Sequence, residues 1–179
     1  ELIRANSLED AKITAYHIGF VLGPCINASG RLDTAARSLA LLNAKTKEEA
    51  ARLAGDLTAL NQSRKALTEK GKEEAIRIIE TTELKNDRVL VVYLPDCHES
   101  LAGIIAGRIR EKYHRPAFVL TGGETSAKGS GRSIESYSMY EELVKCADLM
   151  IQFGGHPMAA GLSIEEKNIE EFRRRLNVN

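Results

Sequence analysis

Two textures of apolar spacing divide the chain. Up to about residue 80 the apolar positions recur at helical intervals, and after Asn86 they gather in short runs. Ser7 and Asp10 resemble a capping box and predict a helix from about Leu8 to Leu22, stopped by Gly23-Pro24. A loop through Asn27, Gly30 and Arg31 is expected next, then a helix over about Leu32 to Leu42. Thr46 and Glu49 form a second capping box. From there the helical pattern holds to about Glu80, with Ala50, Leu53, Leu57 and Leu60 near helical spacing. Such a helix would reach roughly 50 Å. Charges cover most of its surface and Gly55 and Gly71 weaken it, so it reads as a connecting strut rather than a core element.

The second texture predicts mixed structure. Arg88 to Leu94 (RVLVVYL) has the composition of a buried strand. Ser100 to Tyr113 is a helix with Leu101, Ile104, Ile105 and Ile109 on one face, ended at Arg115-Pro116. Ala117 to Leu120 is the next strand, Gly122-Gly123 a turn, and Lys128 to Ile134 a glycine-rich strand. Met139 to Phe153 reads as helix, Ala159 to Ile164 as strand and Ile169 to Leu176 as a final helix. The expected fold class is therefore α/β: a helical lead-in and long connecting helix over 1–83, then a β-α-β-β-α-β-α domain over 84–179.

Composition narrows the function classes only a little. The 179 residues are 43% hydrophobic, enough for a core, and carry 25 basic against 25 acidic side chains. Net charge thus gives no hint of a polyanionic partner, and a nucleic-acid surface must be local. Residues 101–133 offer one, with Arg108, Arg110, Lys112, Arg115, Lys128 and Arg132 against Glu111 and Glu124. Cys25, Cys97 and Cys146 form no C-x-x-C pair, which argues against a disulfide scaffold or a thiolate zinc site and suits a reducing cytoplasm. No apolar run approaches a membrane span, and no signal peptide is visible. A chain that begins at Glu1 within a helical pattern is expected to be part of a longer protein.

Two glycine-rich segments carry the candidate chemistry. They are GSGRS, from Gly129 to Ser133, and FGGHPMAAG, from Phe153 to Gly161. Glycines let the backbone approach a ligand and turn N–H groups toward an anion. Arg132 can hold a phosphate through two parallel hydrogen bonds, and Ser133 adds a hydroxyl. His156 follows Gly154-Gly155 just before a strand, well placed to project an imidazole. The competing interpretation is two ordinary turns with an exposed Arg and a packed His. His98, at the start of a helix, either shares an anion with that helix N-terminus or simply bonds to backbone. Asp96 and His98 have D-x-H spacing but no third ligand nearby, too little for a metal. Asn27 and Arg31 say little by themselves, and His17 reads as packing or surface. The four histidines are scattered, and no D-H-H cluster, Walker loop or G-x-S-x-G elbow is present.

Taken together, HESLAGIIAGR from His98 to Arg108, GSGRS and FGGHPMAAG resemble the DHHA1 domain of the DHH phosphoesterase superfamily. INASGR from Ile26 to Arg31, with NQSR from Asn61 to Arg64 on the long helix, narrows the resemblance to RecJ-type exonucleases. Ser100 and Leu101 stand where many relatives have Gly and Val. The resemblance implies removal of nucleotides from single-stranded DNA from a 5′ end, in recombination and repair. It implies Mn2+ or Mg2+ held by a DHH domain that is absent here, so that this fragment binds no cofactor and is inactive alone. It further implies that Arg132 and Ser133 grip a phosphate, and that His156, with Gly154 and Gly155, faces the scissile phosphate and assists catalysis. Asn27 and Arg31 would contact the strand, with His98 at the same cleft. Two alternatives stand beside this reading. One is a DHH phosphoesterase acting on oligonucleotides or cyclic dinucleotides; the other is a binding module without nuclease chemistry.

Overall fold

The computed structural model describes residues 1–178, in two compact units divided between Leu67 and Thr68. The first unit is helical. Helices α1 (Leu2–Ala5) and α2 (Ala15–His17) lead through a π-helical segment, Ile18–Leu22, into α3 (Gly23–Leu32), followed by α4 (Ala36–Asn43) and the start of α5 (Lys47–Thr81). The expected helix over Leu8–Leu22 forms only from Ala15 onward: Ser7 adopts positive φ, and residues 8–14 are turn and irregular backbone. Thr14 caps α2 instead, in a capping box with His17, whose Nδ1 lies 2.9 Å from the Thr14 hydroxyl. Gly23-Pro24 does not stop the helix either. Pro24 directly follows the π-helical turn, whose wider i to i+5 bonding carries the helix past the residue that has no N–H to give. The expected Asn27–Arg31 loop is therefore helical.

The Thr46 cap forms as its spacing predicts, with the Glu49 N–H donating to Thr46 Oγ1 at 3.1 Å. The helix that follows is more than a strut. Leu53, Ala54, Leu57 and Asn61 are buried in its first half, and Ala75 and Ile79 in its second. No helix among the described residues is long and apolar enough to cross a membrane.

The second unit is built on β1 (Leu90–Leu94), α6 (Glu99–Tyr113), β2 (Ala117–Thr121), β3 (Ala127–Arg132), α7 (Met139–Lys145), β4 (Met150–His156), β5 (Ala159–Ile164) and α8 (Ile169–Val178). The α/β class holds, with one strand more than expected. Residues whose spacing predicts the end of a long helix form β4 after a short 3-10 turn at Ala147–Leu149. The sheet order is β1-β2-β3-β5-β4, with β1 parallel to β2 and every other pair antiparallel. No strand precedes β1 among the described residues.

The two sheet faces differ. On one, Val91, Phe118, Leu120, Leu162 and Ile164 pack with Met139 and Leu143 of α7 and Phe172 and Leu176 of α8. Phe118 and Phe172 meet edge to face at 5.3 Å. Asn177 fastens α8 to the approach of β1: its Oδ1 accepts from the N–H groups of Arg88 and Val89, and its Nδ2 donates to Val89 O. The opposite face receives α6, which packs on β2 and β3. Beyond β3, β5 and β4 present mostly small residues on that face.

Candidate functional site

The pleat of the sheet assembles the site. Side chains directly opposite one another across paired strands point to the same face. On the α6 side, the register sets three rows across β3, β5 and β4. They are Lys128–Ser163–Gln152, Ser130–Gly161–Gly154 and Arg132–Ala159–His156. Arg132 and His156, 24 residues apart in sequence, thus share a row with only Ala159 between them, a backbone separation of about 10 Å. The first two rows, with Glu99 and Ala102 of α6, line an open groove of about 400 Å³. Its floor is small because Gly154 and Gly161 have no side chains to fill it.

Each candidate in this unit can be placed. Arg132 ends β3, half-buried; its Nη1 donates to Gly131 O at 2.7 Å and its guanidinium lies against Gly103 of α6. His156 is the exposed last residue of β4, and Gly154 and Gly155 belong to that strand rather than to a turn. Gly155, at φ +156°, passes so close to β5 that a Cβ there would lie 2.5 Å from Ala159 O. Ser133 differs from expectation in its surroundings: it is fully buried, and its hydroxyl donates to Tyr137 O. Its backbone N–H donates to Met158 O, so it ties the β3 exit to the β4–β5 turn. His98 is the N-cap of α6; its Nδ1 accepts from Ser100 N at 3.3 Å and lies 2.8 Å from the Ser100 hydroxyl. That capping leaves Nε2 as the nitrogen available to a ligand. Beside it Glu99 pairs with Lys128, so the backbone of His98 lies at the end of the groove away from His156.

The expected basic patch over 101–133 is dispersed. Arg108 and Arg110 both pair with Glu111, and Arg115 turns to donate to the carbonyls of Lys85 and Asp87. Of its cations, Lys128 and Arg132 stand on the sheet face that holds the rows.

In the helical unit, Asn27 is exposed on α3 and Arg31 sits half-buried in its last turn. Close to Arg31 is a residue that the sequence did not single out for a site. Arg64 of α5 donates to Asn61 Oδ1 at 3.0 Å. Burial, and then the positive charge of Arg31, hold its pKa below the usual arginine range. Two guanidiniums near enough to repel make a local positive spot in a chain of zero net charge. Asn61, itself buried, also donates to Cys25 Sγ at 3.4 Å.

Gln152 and Ser163 were missed, because strand register brings them to the site rather than any local motif; Lys128 was expected only as part of the basic patch, and Ser130 and Gly103 only as members of longer motifs. No three His, Cys, Asp or Glu side chains gather closely enough to hold a metal ion among the described residues, so the residues present do not fit a metal centre. All three cysteines are free.

Comparison with known proteins gives this geometry a context. The model of the DHHA1 domain matches residues 86–178. The single-stranded-DNA-specific exonuclease RecJ of Salmonella typhimurium strain LT2 is 40% identical over 97% of this chain, and that of Bacillus subtilis strain 168 is 35% identical over 99%. The chain spans 32% and 23% of their respective lengths. Among solved structures, RecJ from Thermus thermophilus in complex with Mg2+ superposes at a TM-score of 0.86 with 31% identity, covering 99% of this chain and 27% of that one. An exonuclease RecJ bound to manganese superposes at 0.84 with 31% identity, covering 99% and 43%.

Proposed function

The chain belongs to the DHHA1 domain family, and from that premise we propose that it is the strand-holding part of a RecJ-type single-stranded-DNA exonuclease. The observation that carries the reading is the row Arg132–Ala159–His156 beside the glycine-floored groove. It offers a cationic fork and an imidazole from backbone positions about 10 Å apart on one sheet face, with Lys128 and the hydroxyls of Ser130 and Ser163 further along. In this reading Arg132 holds a backbone phosphate and fixes the register of the strand. His156 stabilises charge on the phosphoryl oxygens or donates to the leaving oxygen, and His98 offers Nε2 from the other end of the groove. The open floor at Gly154 lets the sugar-phosphate chain lie close to the sheet. Ser133 serves the same site through its buried hydroxyl, by holding the β3 exit. Within the helical unit, Asn27, Arg31 and Arg64 are the residues proposed to contact single-stranded DNA.

The divalent ion belongs, on this reading, to residues outside this chain, in line with the Mg2+ and manganese complexes of the RecJ structures it resembles. The hydrolytic step, its 5′-to-3′ direction, and a place in cytoplasmic DNA recombination and repair are carried by the longer protein. With 5% aromatic residues and no Trp, base stacking contributes little, and binding should show slight sequence preference.

The experiment is a binding titration of this chain with a 5′-phosphorylated single strand, the matching duplex and a cyclic dinucleotide over a range of salt. Phosphate neutralisation releases counterions, so single-strand affinity should fall steeply as salt rises. Arg132→Ala should weaken it about tenfold or more, and Arg132→Lys should recover only part, because an ammonium cannot copy the bidentate fork. Affinity indifferent to salt, or higher for duplex, would sink the proposal. Preference for the cyclic dinucleotide would move the chain to another branch of the DHH phosphoesterases.

A further inference from the structure

We propose that Gly103 is a positioning residue for Arg132: the bare backbone of α6 is the seat against which the guanidinium is aimed at the strand. The inference rests on the reading of Arg132 as a phosphate holder. What points to it is a close approach. A Cβ built on Gly103 would lie 2.7 Å from Arg132 Nη2, 3.3 Å from Cζ and 3.5 Å from Nη1. All three atoms lie within reach of one missing methyl group, so the head of the guanidinium, Nη2 foremost, rests on the bare helix backbone. Nη1 also donates to the carbonyl of Gly131 in its own strand. The group is thus held between a strand carbonyl and a helix backbone, its flexible stem restrained before any phosphate arrives. Binding energy is then not spent on ordering it.

The helix has no local use for glycine at this position. Glycine is the poorest helix former after proline, and Gly103 lies inside α6, where neither a turn nor positive φ requires it. Gly107, one turn further on the same helix, supplies the contrast: a Cβ there meets nothing within 4 Å. Two glycines on one helix therefore have the same intrinsic cost, and one of them faces an arginine.

The test separates aim from architecture by the signs of two measurements. Gly103→Ala and Gly107→Ala both restore helix propensity, so neither should lower the Tm of the chain. Gly103→Ala should weaken binding of a 5′-phosphorylated oligothymidylate about tenfold, and Gly107→Ala should leave it unchanged. In an Arg132→Met background, Gly103→Ala should cost nothing further, because the group it positions is gone. The Nε–Hε resonance of Arg132, read without DNA, should move in Gly103→Ala toward that of a freely rotating arginine. The inference falls if Gly103→Ala binds like the parent, if its loss is undiminished on Arg132→Met, or if the Nε–Hε resonance does not move. Unaltered binding in Arg132→Met alone would remove the phosphate-holding reading and this inference with it. Loss in Arg132→Met without loss in Gly103→Ala would remove the inference only.

Discussion

A methyl group at Gly155 would lie 2.5 Å from Ala159 O and 2.6 Å from the Ala160 Cα, whereas one at its neighbour Gly154 would meet nothing within 4 Å. The two glycines of the motif therefore do different things. Gly155→Ala should destabilise the second unit by about 1–3 kcal/mol, through overpacking against backbone and an unfavourable φ, measured by urea unfolding. Gly154→Ala should leave stability within about 0.5 kcal/mol yet weaken single-strand binding, because its methyl group stands on the groove floor. Equal destabilisation by both would deny the distinction. The sequence exposed Arg132, His156 and this glycine pair because each lies in a short motif. It could not show that the Ser133 hydroxyl is spent on Tyr137 O, since burial is decided by residues far along the chain. Gln152 and Ser163 escaped for the same reason: they become neighbours of Lys128 only once three strands are in register.

Among the elements, local periodicity was sufficient where one pattern ran without competition. α6, β1, β2, β5 and α8 lie close to their expected places. It failed where two patterns overlapped. Leu143, Ala147 and Met150 continue a helical spacing into a segment that becomes β4, and no Gly or Pro marks the change. It failed also at Gly23-Pro24, where a proline accommodated just after a π-helical turn has the look of a stop. α8 allows a prediction at this scale. Arg174 and then Arg175 hold the Glu171 carboxylate well below its ordinary 4.5, to about 2. A depressed carboxylate stabilises the folded state above its unfolded pKa and loses that contribution as pH falls toward the folded value. The pairs are exposed and screened by salt, so the effect is small. At low ionic strength, Glu171→Gln should have a slightly lower Tm than the parent at neutral pH, and the two should converge as pH drops from 4.5 to about 2. A difference that widens on acidification would rule out this assignment.

For the molecule as a whole, the fold class was legible because β-branched runs and helical spacing occupy separate stretches of chain. The division into units was less so: compactness changes within α5, after Leu67, where secondary structure does not change at all. The order of the sheet has one further consequence. β4 closes it on the side away from β1, and no strand pairs with its outer edge among the described residues. Its sequence, MIQFGGH, has no Lys, Arg, Asp, Glu or Pro, and Ile151 is 62% exposed. Natural edges are usually guarded by charge, proline or a twist that discourages another chain from adding itself. This one has none of the first two, only a bulge at Ile151, so the edge beyond it can template growth from chain to chain. The limit on concentrated solutions of this polypeptide should thus be set by self-association through β4 rather than by unfolding. Ile151→Lys should raise the concentration at which light scattering begins, with Tm little changed, and an unmoved threshold would place the sticky surface elsewhere.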